Sequence, residues 1–167
     1  MTTFDQYRFD IRAKEQAMRD IKMGTKRQNL VVKAFIKYWE KVFGETPEVE
    51  DNGCDNTGEF LEQDKVSADA DIKLNGHLLE IKTIHGYPKE LWLKKDHIDR
   101  LIKDGAHVLL CIGDFTNRKD LYFTTIFNDQ LKEIVKDCDI DYPEKYGMMK
   151  AVYVVYPNQF VWGKLPC

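Results

Sequence analysis

The chain has 167 residues, 43% of them hydrophobic and 32% charged, with 28 acidic against 25 basic side chains and a net charge of −3. This suits one domain with a real core; no apolar run is long enough to span a membrane, no cleavable signal peptide is evident, and a cytoplasmic location is expected. Cys54, Cys111, Cys138 and Cys167 are widely spaced and point to neither a zinc site nor a disulfide framework, while the acidic balance confines any nucleic-acid-binding surface to a local basic patch.

Phe4 to Met23 is rich in helix formers, with Phe4, Tyr7, Ile11, Ala17 or Met18 and Ile21 at roughly helical intervals, and predicts a helical extension over residues 1–24. Gly24 would end it as a C′ residue. Thr25-Lys26-Arg27-Gln28 then reads as a capping box that opens a second helix. Its apolar stripe is Val31, Ala34, Phe35, Tyr38 and Val42, and Lys33, Lys37 and Lys41 recur on another face, most simply a solvated one. Pro47 to Glu50 starts a first strand, Asp51 to Gly58 is a turn-rich loop, and Glu59 to Glu62 adds a short strand. The loop does not meet the spacing of a calcium-binding loop.

Val66 to Ile84 carries two alternating runs that meet at Asn75-Gly76, the strongest short-range hairpin signal because a type I′ turn needs positive φ at both central residues. Counting outward from a two-residue loop pairs Leu74 with His77, Lys73 with Leu78, Ile72 with Leu79, Asp71 with Glu80, Ala70 with Ile81 and Asp69 with Lys82. One face then carries Ala70, Ile72, Leu74, Leu79 and Ile81 and belongs in a core; the other carries Asp69, Asp71, Glu80 and Lys82. Asp69 opposite Lys82 is an ordinary cross-strand ion pair. Asp71 opposite Glu80 is not, since like charges at about 4.5 to 5.5 Å between Cβ atoms repel. Two carboxylates converging on one point suit Mg²⁺ or Mn²⁺, whose charge turns that repulsion into binding. On spacing alone, a solvated sheet face and a cation site stand level.

After the hairpin, His85-Gly86-Tyr87-Pro88 is a breaker, and Leu91 to Asp104 predicts an amphipathic helix with Ile98, Leu101 and Ile102 inward and Lys94, Lys95, Arg100 and Lys103 in it. His107 to Phe115 is a near-continuous apolar run, as in a central strand covered on both sides. Leu121 to Phe127 is another strand, Asn128 caps a helix carrying Leu131, Ile134, Val135 and Cys138, and Met149 to Trp162 gives two strand-like runs about Pro157-Asn158. The expectation is one α/β domain over residues 1–167, with its core over 25–127 and a C-terminal helix and strands over 128–167.

An Asp on one strand, a short hairpin and Glu-x-Lys on the next, here Asp71 and then Glu80-Ile81-Lys82 followed by a basic, apolar-faced helix, resembles the signature of the PD-(D/E)XK nuclease superfamily. The resemblance covers the hairpin and, by order of elements, roughly Thr25 to Thr125; Ala70 stands where the name has Pro. It implies a restriction-endonuclease-like core, a mixed central sheet with the hairpin carrying the site and helices flanking it. It also implies a divalent-metal-dependent nuclease, most simply a DNA endonuclease. In that reading Asp71, Glu80 and the backbone carbonyl of Ile81 hold Mg²⁺ or Mn²⁺, and Lys82 orients a water and stabilises charge on phosphorus. Asp69 would hold Lys82. Gln28 stands on the first core helix, where the family often has Glu, and Lys94, Lys95 or His97 would approach the phosphate. The implied partner is nucleic acid, and cutting both strands of a duplex favours a homodimer. The alternative is a catalytically inactive nucleic-acid-binding or protein-interaction domain on the same fold. The acidic net charge favours that alternative, and the retained Asp71, Glu80 and Lys82 oppose it.

Overall fold

In the computed structural model, residues 14–52, 69–145 and 148–166 are described; the first part of the predicted helical extension, most of the turn-rich loop and the strand at Glu59 to Glu62 lie outside them. Helix α1 (Lys14–Phe43) is one unbroken helix of 30 residues. The predicted break at Gly24 is absent, and Thr25 to Gln28 lie inside the helix rather than capping a new one. Helical glycine costs only about 1 kcal/mol relative to alanine, whereas ending one helix and nucleating another fixes several residues for little return. Val31, Ala34 and Phe35 are the stripe that α1 buries.

Strands β1 (Val49–Asp51), β2 (Ile72–Leu74), β3 (His77–His85), β5 (His107–Asp114), β6 (Lys119–Ile126) and β11 (Gly163–Lys164) form a six-stranded sheet in the order β1-β2-β3-β5-β6-β11. Only β3 and β5 pair in parallel, so the sheet is mixed, as expected. The hairpin register is the predicted one, Leu74 with His77 and Ile72 with Leu79, around Asn75 and Gly76 at φ of 48° and 81°. β5 sits between β3 and β6 and is buried along nearly its whole length, the central strand the sequence predicted.

Leu91 to Lys94 is not helical. It forms strand β4, which alternates buried Leu91 and Leu93 with exposed Trp92 and Lys94, and pairs with β10 (Val152–Val155). A two-residue period in Leu-Trp-Leu-Lys with a strand partner outweighs the helical pattern that follows. Helix α2 is therefore confined to Lys95–Asp104. Helix α3 (Asn128–Asp137) follows β6, and β7 (Asp139–Asp141) completes a second sheet of order β4-β10-β7. A short antiparallel pair joins β8 (Glu144–Lys145) to β9 (Met148–Met149). Beyond Pro157 the second predicted run shrinks to the two residues of β11, after a 3-10 turn at Pro157–Gln159.

Asn128 was expected to cap its own helix. It is instead the first residue of α3, and its Nδ2 donates to the carbonyls of Leu101, Ile102 and Ala106 at 3.3, 3.3 and 3.0 Å. It thereby adds a second donor to the Leu101 and Ile102 carbonyls, which already accept from the Ala106 and Gly105 N–H groups, and ties the end of α2 to the start of α3. Both faces of the large sheet are covered. On one, α1 packs Val31, Ala34 and Phe35 on Ile72, Leu79, Ile81, Leu109 and Phe123. On the other, α2, α3 and the second sheet enclose Val108, Leu110, Leu101, Leu131 and Val155. Ala70, expected on the first face with Ile72, joins the second core instead.

Candidate active site

Ala70 changes face because the hairpin ladder ends early. Pairing of β2 with β3 stops at Ile72 and Leu79. Beyond it, Asp71 leaves the ladder, and its Oδ2 accepts the Ile81 N–H at 2.8 Å, the amide that a continuing ladder would have given to Ala70. The Ala70 carbonyl accepts from Asn52 Nδ2 at 2.9 Å, and Asn52 N–H donates to the Asp71 carbonyl at 3.0 Å. β1 thus stays with the departing strand while a carboxylate fills the gap on β3. In an antiparallel pair a residue's N–H and C=O share one strand edge, so the Ile81 carbonyl lies on the edge that Asp71 caps.

Alternation along β3 puts Glu80 and Lys82 on the face that also carries Leu78 and Ile84, beneath the first turn of α2. Glu80 is 4% exposed. A carboxylate buried that far needs a partner, and Lys82 Nζ stands 2.8 Å from Glu80 Oε1. The same ammonium lies 3.1 Å from His97 Nδ1. Burial and the charge of Lys82 lower the His97 pKa, so the ring is neutral with Nδ1 as acceptor and the proton on Nε2. His97 Nε2 lies 3.4 Å from Glu80 Oε1 without hydrogen-bond alignment. Two buried polar atoms here, His97 Nε2 and Glu80 Oε2, have no hydrogen-bond partner among the described residues.

Asp71 is the electrostatically strained member. Burial first, and the charge of Glu80 second, push its carboxyl from 3.8 up to about 7, against the opposing pull of the Ile81 amide and Lys82. Repulsion between Asp71 and Glu80, inferred from cross-strand spacing, therefore operates although the strand pairing that suggested it has ended. The donor set fits a small hard cation. Mg²⁺ is commonly held by one or two carboxylates with waters and substrate phosphate completing its shell. Glu80 Oε2 is an unused buried acceptor, Asp71 would lose its penalty beside positive charge, and the Ile81 carbonyl lies on the edge of β3 that Asp71 caps. Among the described residues no three His, Cys, Asp or Glu side chains converge as a metal cage.

The remaining candidates fall at different distances from this cluster. Lys82 is held by Glu80 and His97, not by Asp69, which lies 3.5 Å from Arg100 with its side chain 53% exposed. Lys94 is exposed at the end of β4, close enough that its charge helps to lower the His97 pKa. Lys95 turns to Asp99, whose other oxygen accepts from Tyr153 Oη, and its ammonium lies 5.3 Å from the Tyr153 ring centroid. That network ties α2 to β10. Gln28 is half-buried on α1, the helix that packs on the sheet face opposite Glu80. Among the residues linked to Glu-x-Lys, only His97 touches it, and it touches the lysine rather than presenting itself to a phosphate. The i,i+4 pairs Lys95–Asp99 and Arg100–Asp104 were legible in the sequence as helix-surface spacing; the Lys82–His97 contact, 15 residues apart across two elements, was not. No protein-family model matches the chain, and no curated protein sequence matches it.

Proposed function

We propose that the chain is a divalent-metal-dependent phosphodiesterase of the restriction-endonuclease-like kind, most simply a DNA endonuclease. The observation that carries this reading is a buried Glu80 beside a carboxyl held near neutrality at Asp71, with Lys82 between Glu80 and His97. A protein without use for that arrangement would be more stable with one carboxylate replaced, because a repelling buried pair costs free energy. The mixed sheet, with helices on both faces and the hairpin presenting the cluster, supports the reading.

Asp71, Glu80 and the Ile81 carbonyl would hold the cation. When bound, it supplies Lewis-acid polarisation of a phosphate and activation of a water. Lys82 contributes the cationic donor of the cluster. Released from Glu80, its ammonium can hydrogen-bond a non-bridging phosphate oxygen or the attacking water and offset negative charge that builds on phosphorus. His97 Nδ1 accepts a hydrogen bond from the Lys82 ammonium and limits where it can swing. The low-dielectric surroundings of Glu80 strengthen each of these interactions over their value in water.

The test is cleavage of supercoiled, linear, branched and single-stranded nucleic acids in Mg²⁺ or Mn²⁺, with Lys82→Ala alongside. Metal-dependent cutting that the substitution abolishes supports the proposal and identifies the substrate form. Absence of cutting, together with absence of metal binding by calorimetry, refutes it and leaves the cluster as architecture in a binding domain.

A further inference from the structure

Helix α1 carries a charge opposite in sign to that of the chain as a whole. Between Asp20 and Glu40 it holds five basic side chains and no acidic one, in a chain whose net charge is −3. Arg19, Lys22, Lys26, Lys33, Lys37 and Lys41 are all exposed. At 3.6 residues per turn they fall within an arc of about 100°, and at 1.5 Å per residue the stripe runs roughly 33 Å along the helix.

A helix face that is merely solvated interleaves both signs of charge, as the other helices here do. Lys95 pairs with Asp99, Arg100 with Asp104, Lys132 with Asp129 and Lys136 with Glu133. Among the described residues no member of the α1 stripe pairs with a carboxylate, and Glu40, at its C-terminal end, accepts from Thr46 Oγ1 at 2.8 Å instead. Lys22 with Lys26, Lys33 with Lys37 and Lys37 with Lys41 are like-charge i,i+4 pairs, which weaken a helix unless an anion lies against them. Two features choose the anion. Val31, Ala34 and Phe35 are packed on the sheet, so α1 has no apolar stripe left to enter a bilayer. The narrow, straight row matches about one turn of a duplex, roughly 34 to 36 Å, which presents a negative charge every 1.7 Å or so. Lysine ammoniums meet phosphates as point charges and carry little of the bidentate hydrogen bonding that reads base edges.

We propose that this face of α1 docks the phosphate backbone of a duplex nucleic acid without reading its sequence. The choice of nucleic acid over other polyanions rests on the phosphodiesterase reading, whereas the docking itself uses none of the carboxylate cluster. Because α1 packs on the sheet face opposite Glu80, the surface tethers a duplex segment rather than presenting the scissile bond.

The test is fluorescence anisotropy of labelled duplexes of about two turns and unrelated sequence, titrated with the full chain in EDTA over a range of salt. Saturable, sequence-indifferent binding is expected, with a log–log salt slope of about −5 for the six charges. A variant combining Lys26→Gln, Lys33→Gln and Lys37→Gln keeps helix propensity; its slope should flatten by about 2 to 3 and its low-salt affinity fall at least roughly tenfold. Lys132→Gln with Lys136→Gln on α3 should leave the slope unchanged. In the wild type, acetylation of Lys26, Lys33 and Lys37 followed by mass spectrometry should slow when duplex is added, a readout that needs no variant. No saturable duplex binding, an unchanged slope in the α1 variant, an equal fall in the α3 variant, or capture by phosphatidylserine vesicles and not by duplex would overturn the proposal. Duplex held by α1 yet never cut in Mg²⁺ or Mn²⁺ sinks the phosphodiesterase reading alone, and cutting with an unchanged slope in the α1 variant sinks this one alone.

Discussion

Replacing Asp71 with asparagine should make the protein more stable and inactive, with the stability gain confined to neutral and alkaline pH. The Asp71 carboxyl titrates at about 7 in the folded protein against 3.8 when unperturbed, because it is buried and beside Glu80. Its folded pKa is the higher one, so the folded state holds the proton more tightly than the unfolded chain. The stability that this proton confers is complete below about pH 4 and is lost as pH rises to about 7. At about 1.36 kcal/mol per pH unit the interval corresponds to roughly 4 kcal/mol, and because Asp71 and Glu80 share the penalty, the substitution should recover about 2 to 4 kcal/mol. Asparagine keeps the oxygen that accepts the Ile81 N–H at 2.8 Å and offers Glu80 a neutral donor in place of a charge. Urea unfolding of both proteins without metal is the assay. The expected result is a gain of about 2 to 4 kcal/mol for Asp71→Asn at pH 8 and near equality at about pH 3.5. Mg²⁺ should raise the wild-type midpoint at pH 8 and leave the variant unmoved. Equal differences at both pH values, or a variant that is less stable at pH 8, would refute the electrostatic account of the site.

Lys82→Met removes the ammonium that pairs with Glu80 and should cost about 1 to 3 kcal/mol by urea unfolding, since Glu80 is left buried; metal-dependent cleavage should fall at least roughly a hundredfold. Asn128→Ala strips the Leu101, Ile102 and Ala106 carbonyls of their shared donor and should destabilise by about 1 to 3 kcal/mol, with amide exchange rising first in the last turn of α2. Gly113→Ala should be the most damaging small substitution in the sheet. An added Cβ would lie 2.4 Å from the Asp120 carbonyl oxygen, at a backbone φ of 140° that side chains rarely adopt. A loss of roughly 2 to 4 kcal/mol is expected, read as a fall in the thermal midpoint.

These positions share a cause. At Gly113, between paired Ile112 and Asp114, the β5–β6 register shifts, and the two backbones approach too closely for a side chain. At Asp71 the β2–β3 ladder ends, and a carboxylate replaces the missing strand partner. At Asn128 two helix termini meet, and one carboxamide serves the end of a helix other than its own. In each case a local rule is set aside because a distant backbone group needs a partner or room.

What the sequence determined by itself are the features written in short-range chemistry. Asn75-Gly76 specifies a turn and hence a register, the run from His107 to Phe115 specifies a strand buried on both sides, and alternation along β3 places Glu80 and Lys82 on one face. Those inferences hold because backbone sterics and the two-residue strand period act over a few residues. Tertiary structure decided the rest. Whether Leu91 to Lys94 joins α2 or becomes a strand, and which helix Asn128 caps, depend on partners far along the chain. The same holds for the site. The sequence placed Lys82 two residues from Glu80, but its neighbour His97 and the burial that pushes Asp71 up to about 7 exist only once α2 has packed over β3, because desolvation and hydrogen-bond geometry are properties of the assembled layers.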